Sequence, residues 1–435
     1  MTAARVAALL LVLAGLGGGV ARADALVPGE TWSLVSGVLE WRDRDLPPFS
    51  KVHRKDKELD DTLGAIGVPA AQRTLLLDAA ATSDGILAAL RQAVRKAPKG
   101  STLIFYFAGH GISDAAGGGI VFASSDVSSK RPKETGLALA DLAPILQDFK
   151  GKRLILMADC CYSGGLVAVG QALAAAGLRV AVLTSAEASN VSTGNWTFTQ
   201  TVIDALAGRA IEDRNDDGQV TLGELAVEVA DAMKYREQQR AAWAALGVDG
   251  ALVVARTRPE PEPLAAGRGE LGRRRYVLVN TPPGSQRVAR ILGARKDGSL
   301  RVAYYDYSDE SDDWVAPSAT QPIEFPTWGV GTTLTVLWKQ QPFEAHVTAV
   351  EDGFMRITYP GWSASWDEWI TAARVPHPPG SDAQAAHAVR ASVEWKGDWY
   401  DAIVLGKKGS LVCIHYVGWA DSWDECVPPA RVKAL

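Results

Sequence analysis

Apolar runs of strand length alternate with stretches of helical periodicity between residues 31 and 254. One helical stretch, residues 84–97, follows the candidate N-cap residues Thr82 and Ser83. The strand-like runs are residues 32–38, 74–77, 102–107, 153–158, 179–184 and 251–254. Strands that alternate with helices form mostly parallel sheets whose two faces are covered by the helices. The sequence therefore predicts an α/β domain with a mostly parallel sheet between two helical layers.

Two of these runs end in short motifs that carry reactive side chains. FYFAGHG ends at Gly111 and includes His110, and LILMADCCYSGG begins at Leu154 and includes Cys161. Sites in parallel sheets form beyond the carboxyl ends of the strands, where both residues fall. A thiol is nucleophilic as the thiolate, and imidazole is well suited to take its proton near neutral pH. The pair predicts nucleophilic catalysis by cysteine.

The two motifs resemble the caspase and metacaspase superfamily of cysteine peptidases, and we assign residues 30–255 to such a domain. The family pattern Asp-any-Cys-any-Ser-Gly selects Cys161 as the nucleophile and leaves Cys160 as a bystander. The histidine precedes the cysteine by about fifty residues, as in caspases. The resemblance implies that His110 assists the leaving group and that the N–H groups of Gly111 and Cys161 form the oxyanion hole.

The resemblance also implies a preference for Arg or Lys before the scissile bond. Metacaspases place acidic residues in the specificity pocket, and Asp159 and Asp56 fall on such positions. A carboxylate there would form a charge-assisted hydrogen bond with a basic side chain. Ala108, Tyr162 and His53 depart from residues that are common in metacaspases, which affects the expected substrate preference more than catalysis.

Two further possibilities accompany this assignment. The chain could be an inactive caspase homologue that acts as a binding or scaffold protein through its aromatic-rich second half. If the enzyme is active, the basic stretches 130–133 and 273–275 are candidate sites of self-cleavage, because both lie in loop-like sequence.

A second local motif, DRNDDGQVTLGEL, matches the calcium loop of an EF-hand. Such a loop places oxygen ligands at alternate positions, a glycine at the sharp turn and a carboxylate at position twelve. Gly218 takes the glycine position, and helices are predicted over residues 202–210 and 225–242. The sequence predicts structural Ca²⁺ and no organic cofactor, and the alternative is an unmetallated acidic turn. The predicted ligands lie in the loop 213–224 and are Asp213, Asn215, Asp217, Gln219, Thr221 and Glu224.

The second half of the chain has a different composition and repeats itself. Residues 256–275, rich in Pro, Glu, Gly and Arg, read as a linker. Ten of the fourteen tryptophans follow residue 300, and Trp338 in one repeat matches Trp395 in the next. We predict three small β-barrels over residues 276–320, 328–376 and 390–435, the first of them degraded.

The barrel repeats resemble Tudor and chromo-barrel modules through a Tyr-any-Gly-Trp pattern followed by Trp-Asp-Glu-Trp. In those families aromatic rings form a cage that attracts a methylated lysine by cation–π interaction. Alternatively, many of the rings form the cores of the barrels. For an exported protein a peptide or cell-surface ligand is the expected partner. The candidate residues are Phe343, Tyr359, Trp362 and Trp366 in one copy, and Tyr400, Tyr416, Trp419 and Trp423 in the other.

Residues 1–23 have the three regions of a secretory signal peptide: a basic start, an apolar run and a small-residue site ending at Ala23. We therefore expect export, secreted or periplasmic, with no membrane span after removal of the signal. Sequons for N-glycosylation begin at Asn190 and Asn195. The net charge of −5 gives no reason to expect nucleic acid as a partner, so the expected partners are protein or peptide substrates.

Overall fold

The structure of the protein, a computed structural model, describes residues 24–52, 54–114, 119–190, 195–258, 275–281, 285–304, 313–338, 341–376, 390–395, 398–408, 411–416 and 425–434. The predicted signal peptide (1–23) and most of the predicted linker (256–275) lie outside the described residues. So do His53, Trp419 and Trp423.

The described residues of the first half of the chain form eleven strands and seven helices. In chain order they are β1 (Thr31–Gly37), α1 (Lys55–Ala65), β2 (Arg73–Leu77), α2 (Ser83–Lys96), β3 (Thr102–Ala108), β4 (Gly111–Asp114), β5 (Gly119–Phe122), α3 (Pro132–Thr135), β6 (Leu137–Ala138), α4 (Leu142–Leu146), β7 (Arg153–Asp159), α5 (Leu166–Ala175), β8 (Val180–Thr184), α6 (Thr197–Leu206), β9 (Gln219–Thr221), α7 (Leu222–Glu237), β10 (Ala242–Leu246) and β11 (Val253–Arg256). At the start of α2, the Thr82 side chain accepts a hydrogen bond from the Gly85 N–H at 3.1 Å and so caps the helix.

Six strands form the central sheet in the order β10–β8–β7–β3–β1–β2. The strands β1, β2, β3, β7 and β8 pair in parallel, and β10 runs antiparallel to β8 at one edge. Both faces are buried. In β3, Phe105 and Phe107 belong to the core beneath α2, α4 and α5, whereas Ile104 and Tyr106 belong to the core beneath α1, α6 and α7. Burial on both faces explains why the strand reads as a continuous apolar run.

The last strand of the sheet is not the one predicted. Residues 242–246 form the edge strand β10, while β11, which contains the last two residues of the predicted run 251–254, pairs antiparallel with β9 in a separate ladder. The predicted helix 225–242 is wrong at its end, because α7 stops at Glu237 and Gln238 adopts a left-handed conformation with φ 51°. The alanine-rich sequence of β10 favours a helix, and pairing with β8 overrides that preference.

Three small antiparallel sheets follow; we refer to them as the first, second and third sheet units. The first contains β12 (Tyr276–Thr281), β13 (Ser285–Ala294), β14 (Leu300–Tyr304), β15 (Asp313–Val315) and β16 (Thr320–Pro322). The second contains β17 (Thr333–Trp338), β18 (Gln341–Glu351), β19 (Phe354–Thr358) and β20 (Glu368–Ile370). The third contains β21 (Arg390–Trp395), β22 (Asp398–Lys408), β23 (Leu411–Tyr416), β24 (Glu425–Val427) and β25 (Val432–Ala434).

The three units share a bend in their long second strand. The pairing register shifts between Ile291 and Gly293 in the first unit, between Val347 and Ala349 in the second, and between Val404 and Gly406 in the third. Such a bulge bends and twists a strand, which allows a small sheet to curl around its own core. The mostly parallel sheet and the small all-β units after it confirm the predicted fold class. Among the described residues, no helix has the length and apolar character needed to cross a bilayer.

Candidate active site

The two catalytic candidates leave neighbouring strands at the same level. In the parallel pair β3 and β7, Ala108 lies opposite Asp159, and His110 and Cys161 each follow two residues later. The Gly109 N–H donates to the Asp159 carbonyl at 3.3 Å, so the two segments stay paired where the strands end. The fold therefore brings the two motifs together at the carboxyl edge of the sheet, where sites form in such folds.

Gly111 packs directly against the backbone of Cys161. A Cβ atom placed on Gly111 would lie 1.7 Å from the carbonyl oxygen of Cys161, far inside van der Waals contact. Only glycine permits this approach of the histidine turn to the cysteine turn. The proximity is compatible with the predicted role of the Gly111 and Cys161 N–H groups as an oxyanion hole, which stays a prediction.

The two adjacent cysteines occupy different environments. Cys160 is 2% exposed, and burial, foremost, raises the pKa of its thiol well above the usual range. Cys161 is partly exposed and is followed by Tyr162 in the left-handed region at φ 57°. A buried thiol that resists ionisation is chemically inert, whereas an accessible thiol can reach a substrate. The environments favour Cys161 over Cys160 as the nucleophile.

Groups far away in sequence hold the ring of His110. Its Nε2–H donates to the Pro47 carbonyl at 2.9 Å, which leaves Nδ1 to accept a proton. The ring packs against both Trp41 and Phe49, with centroid distances of 4.4 and 4.5 Å, and these two rings also contact each other at 5.8 Å. Burial among these groups lowers the pKa of His110, and the hydrogen bond to Pro47 opposes that shift. These three residues were not predicted from the sequence, where their signal is the aromatic and proline-rich segment 41–49 after β1.

Asp159 lies buried at the end of β7. Its carboxylate accepts a hydrogen bond from the Thr199 hydroxyl at 2.6 Å. Because Thr199 donates its proton there, the Tyr106 hydroxyl, 2.6 Å away, donates to Thr199. Burial, foremost, raises the pKa of Asp159 to about 6, and the hydrogen bonds from Thr199 and Ser185 oppose the rise.

Asp56 lies one strand further along the same edge but already has a cationic partner. Its carboxylate contacts Gly37 at the end of β1, and Gly37 lies opposite Ala108. Arg54 donates to both carboxylate oxygens of Asp56 at 2.8 and 2.6 Å and also to Asp78 at 2.8 Å. The carboxylate is 0% exposed, so a substrate would have to compete with Arg54 for it. This ion pair was missed, although Arg54 and Asp56 stand two residues apart in sequence.

The predicted calcium loop is closed at both ends by its own carboxylates. Asp213 accepts hydrogen bonds from the N–H groups of Asp217 at 3.2 Å and Gly218 at 2.8 Å. Glu224 reaches back from α7 to the N–H of Arg214 at 2.8 Å and forms a capping box with Thr221. Among the described residues, no group of three or more His, Cys, Asp or Glu side chains converges as a metal site.

The loop nevertheless fits calcium in its donor chemistry and backbone. Gly218 has φ 85°, as the sharp turn at position six requires, and β9 pairs with β11. The predicted ligands Asp213, Asn215, Asp217, Gln219, Thr221 and Glu224 offer the hard oxygen donors that Ca²⁺ prefers. Their role as ligands stays a prediction.

Aromatic rings of the second sheet unit surround a narrow cavity. Trp362 lies 5.1 Å from Trp366 and 5.7 Å from Phe343, with the rings nearly perpendicular. Tyr359 also lines the cavity, and its hydroxyl donates to the Glu368 carboxylate at 2.8 Å. All four predicted cage residues of this unit therefore lie together, and the cavity also includes Trp338 and Glu368, which the sequence analysis missed.

The same rings also contribute to the unit's core, since Tyr359 is buried and Phe343 and Trp366 pack against the buried cluster. In the third unit, Tyr400 and Tyr416 lie 6.1 Å apart. The two remaining candidates there, Trp419 and Trp423, lie outside the described residues.

Comparison with known proteins gives matches in the first half of the chain. The family model for the caspase domain matches residues 55–250. No curated protein matches the sequence. A protein of Geobacter sulfurreducens of known structure has 14% identity and a TM-score of 0.35, over 53% of this chain and 95% of that one.

Two insect caspases of known structure give similar values. Caspase-1 from Spodoptera frugiperda has 11% identity and a TM-score of 0.34, over 52% of this chain and 89% of that one. The Drosophila initiator caspase Dronc has 13% identity and a TM-score of 0.32, over 52% of this chain and 84% of that one. The family match confirms the predicted caspase-like domain, whereas the likeness of the sheet units to Tudor and chromo-barrel modules stays a prediction.

Proposed function

We propose that this chain, which contains a caspase-like domain, is an exported cysteine endopeptidase that cleaves proteins after Arg or Lys. The observation that carries the proposal is that His110 and Cys161 follow the paired strands β3 and β7 at equivalent positions, with Gly111 packed against the Cys161 backbone. Thiol attack requires a thiol that the substrate can reach and a neutral imidazole that can take the thiol proton. Cys161 is partly exposed, and burial lowers the pKa of His110, which favours its neutral form.

The proposed reaction has two stages. Cys161 Sγ attacks the scissile carbonyl carbon, and the oxyanion accepts hydrogen bonds from the N–H groups of Gly111 and Cys161. His110 Nδ1 carries the thiol proton and gives it to the leaving amine, while Pro47 holds Nε2–H and fixes the ring orientation. Water then attacks the thioester carbonyl carbon and gives a proton to His110; the C–S bond breaks, the acid product leaves, and His110 returns the proton to the Cys161 thiolate.

The preference for a basic residue rests mainly on Asp159. Its carboxylate lies two residues before the nucleophile and is ionised above a pKa of about 6. Asp56 contributes less in this proposal, because Arg54 already pairs with both of its oxygens. A substrate Arg or Lys would gain a charge-assisted hydrogen bond from Asp159.

Calcium and the sheet units have supporting roles in this proposal. Bound in the loop 213–224, Ca²⁺ would neutralise the loop carboxylates and fix the start of α7. The aromatic cavity of the second unit, with Glu368 at its border, suits a cationic side chain or methylated ammonium group on a peptide or cell-surface ligand.

The test uses fluorogenic peptides ending in Arg, Lys or Asp, with and without calcium, and the Cys161→Ala variant as the blank. We expect turnover of the Arg and Lys peptides by the unaltered protein only. Equal signals from the protein and the blank on every substrate would refute the peptidase and leave a binding protein that acts through its sheet units. Turnover that survives a chelator would remove calcium from the scheme but leave the peptidase.

A further inference from the structure

The second sheet unit docks on the caspase-like domain through side chains from both. Arg240 stacks on the Trp369 ring at 4.2 Å and pairs with Glu187 of its own domain at 2.9 Å and Glu351 of the unit at 3.1 Å. Lys234 pairs with Asp352 at 2.5 Å. An arginine that bridges two carboxylates while stacking on an indole is typical of an organised interface.

One contact of this interface lies next to the nucleophile. The side-chain amide of Asn190 donates to the Trp369 carbonyl at 2.6 Å and accepts from the Trp369 N–H at 3.3 Å. The main-chain carbonyl of Asn190 accepts from the N–H of Tyr162, the residue after Cys161, at 2.8 Å. Asn190 therefore joins strand β20 of the unit to the turn that carries the nucleophile.

An open cleft of about 620 Å³ lies between the caspase-like domain and the second sheet unit. The caspase-like domain lines it with residues that include Ser113 on β4, Glu187 and the edge-strand residue Trp243, and the unit lines it with Arg356 and Asp367. β4 begins at Gly111, and the main-chain atoms of Glu187 pack against Gly164 in the cysteine motif. Two parts of the cleft lining, Ser113 and Glu187, therefore adjoin the segments that carry His110 and Cys161.

We propose that the second sheet unit forms one wall of the substrate cleft and that Asn190 is the positioning residue that holds this wall beside the nucleophile. The inference rests on the proposed peptidase function. It makes Arg356 a specificity-determining residue, because Arg356 lines the cleft, its side chain is about half exposed (51%), and its ion pair with Asp367 is long, at 3.5 Å.

The occupant that fits is an extended stretch of the substrate polypeptide. The cleft runs beside Ala242 and Trp243 of β10, the edge strand of the sheet, where an extended chain can hydrogen-bond to backbone groups. Trp243 is 38% exposed and offers an apolar surface, and Arg356 offers a cation to an acidic substrate residue. The wall therefore selects residues some distance from the scissile bond, separately from the residue that Asp159 contacts.

The experiment compares two substrates in the full-length protein: a short fluorogenic peptide that ends at the scissile bond, and a quenched peptide of about twenty residues that spans the cleft. The measured quantity is the ratio of kcat/KM for the long peptide to that for the short one. We expect this ratio to fall about fivefold or more in both Asn190→Ala and Arg356→Glu. In a library of long peptides, Arg356→Glu should also replace a preference for acidic residues at one distant position by a preference for basic ones.

Matched controls are available for both variants. Asn195 lies in the same loop region and bonds to Glu237 rather than to the unit, so Asn195→Ala should keep the ratio. Lys296 is exposed in a turn of the first sheet unit and does not line the cleft, so Lys296→Glu controls for the charge change. Arg356→Glu alters an exposed side chain and keeps the test valid should Asn190→Ala fold poorly.

Two results would overturn the inference. An active protein whose ratio and library profile are the same in Asn190→Ala, Arg356→Glu and the controls refutes the wall and leaves the peptidase. Absence of turnover above the Cys161→Ala blank in the unaltered protein refutes the peptidase itself, and the inference with it.

Discussion

The Nε2 atom of His110 lies 2.9 Å from the carbonyl oxygen of Pro47, a residue 63 positions earlier in the chain. A carbonyl accepts a hydrogen bond but cannot take up a proton, so it fixes the tautomer and orientation of the ring without titrating itself. Trp41 and Phe49 pack against the ring and against each other, and together they form a largely apolar slot for it.

This slot predicts the effect of Phe49→Ala on the pH profile. Burial lowers the pKa of His110 below its usual value, so the neutral imidazole persists to lower pH than in a free peptide. Removing the Phe49 ring admits water, raises the pKa towards 6.5 and moves the acid limb of kcat/KM to higher pH. Proton NMR titration of the imidazole, assigned with His110→Asn, measures the pKa directly; an unmoved or lower pKa would contradict the explanation.

Substitution by alanine should have different effects on kcat at the two adjacent cysteines. Cys161→Ala should lower kcat by about a thousandfold or more, because the nucleophile is lost. Cys160→Ala should keep kcat within about threefold and lower the free energy of unfolding by about 1 kcal/mol, since a small buried side chain becomes smaller. Steady-state kinetics and urea unfolding test both, and equal losses of activity would show that the register of the motif is misassigned.

Asp159→Asn should change both stability and substrate preference with pH. The folded-state pKa of Asp159 is raised from 3.8 to about 6, so the folded protein holds a proton there that the unfolded chain has already lost. Stability therefore falls as the pH rises through this window, by at most about 3 kcal/mol. Asp159→Asn removes that loss, so its Tm relative to the unaltered protein should increase between pH 4 and 6.

The same carboxylate should make cleavage after Arg depend on pH. The ratio of kcat/KM for an Arg peptide to that for a neutral peptide should rise as the pH passes through about 6, where Asp159 ionises. In Asp159→Asn this ratio should be low and constant with pH. A preference for Arg that persists in Asp159→Asn would assign the specificity to another group.

The calcium loop predicts a metal-dependent gain in stability. With Ca²⁺ at about a hundred times its Kd, the free energy of unfolding should rise by about 2.7 kcal/mol. Glu224→Gln should abolish this gain, because the twelfth position supplies the closing carboxylate. Asp216→Asn, at a position outside the predicted ligand set, is the matched control, and thermal unfolding with calcium and with chelator measures both. Equal Tm values in both solutions for the unaltered protein would show an unmetallated turn.

The first sheet unit should depend on one buried arginine for docking. Arg290 pairs with Glu212 at 2.9 Å and Glu228 at 2.5 Å, and both carboxylates are 0% exposed. Arg290→Met leaves buried Glu212 without its cation and leaves Glu228 with Arg214 alone, 3.2 Å away, and should cost about 3–5 kcal/mol of stability. Arg287→Met, on the same strand and stacked on Tyr304, should cost less than about 1 kcal/mol. Chemical unfolding of the full chain compares the two, and similar losses would rule out a special role for the buried pairings.

Local sequence was sufficient for the features that depend on neighbouring residues. The period of apolar residues predicted the strands around Leu103 and Leu154, because burial on both faces of a sheet requires continuous apolar runs. The motif register predicts Cys161 rather than Cys160 as the nucleophile, and the spacing of oxygen donors predicts a calcium loop at residues 213–224; both stay predictions. The repeated aromatic pattern predicted Phe343, Tyr359, Trp362 and Trp366 as one group, and the four residues line one cavity.

Tertiary structure decided the contacts between segments that lie far apart in the chain. The partners of His110 come from residues 41–49, and Asn190 meets a strand 179 residues later. The alanine-rich sequence of β10 favours a helix, but β10 forms the edge strand of the sheet because its backbone hydrogen-bonds to β8. A residue's local pattern records its own burial and backbone preference, whereas its distant partners follow from how complete elements pack, and the site of this protein depends on both.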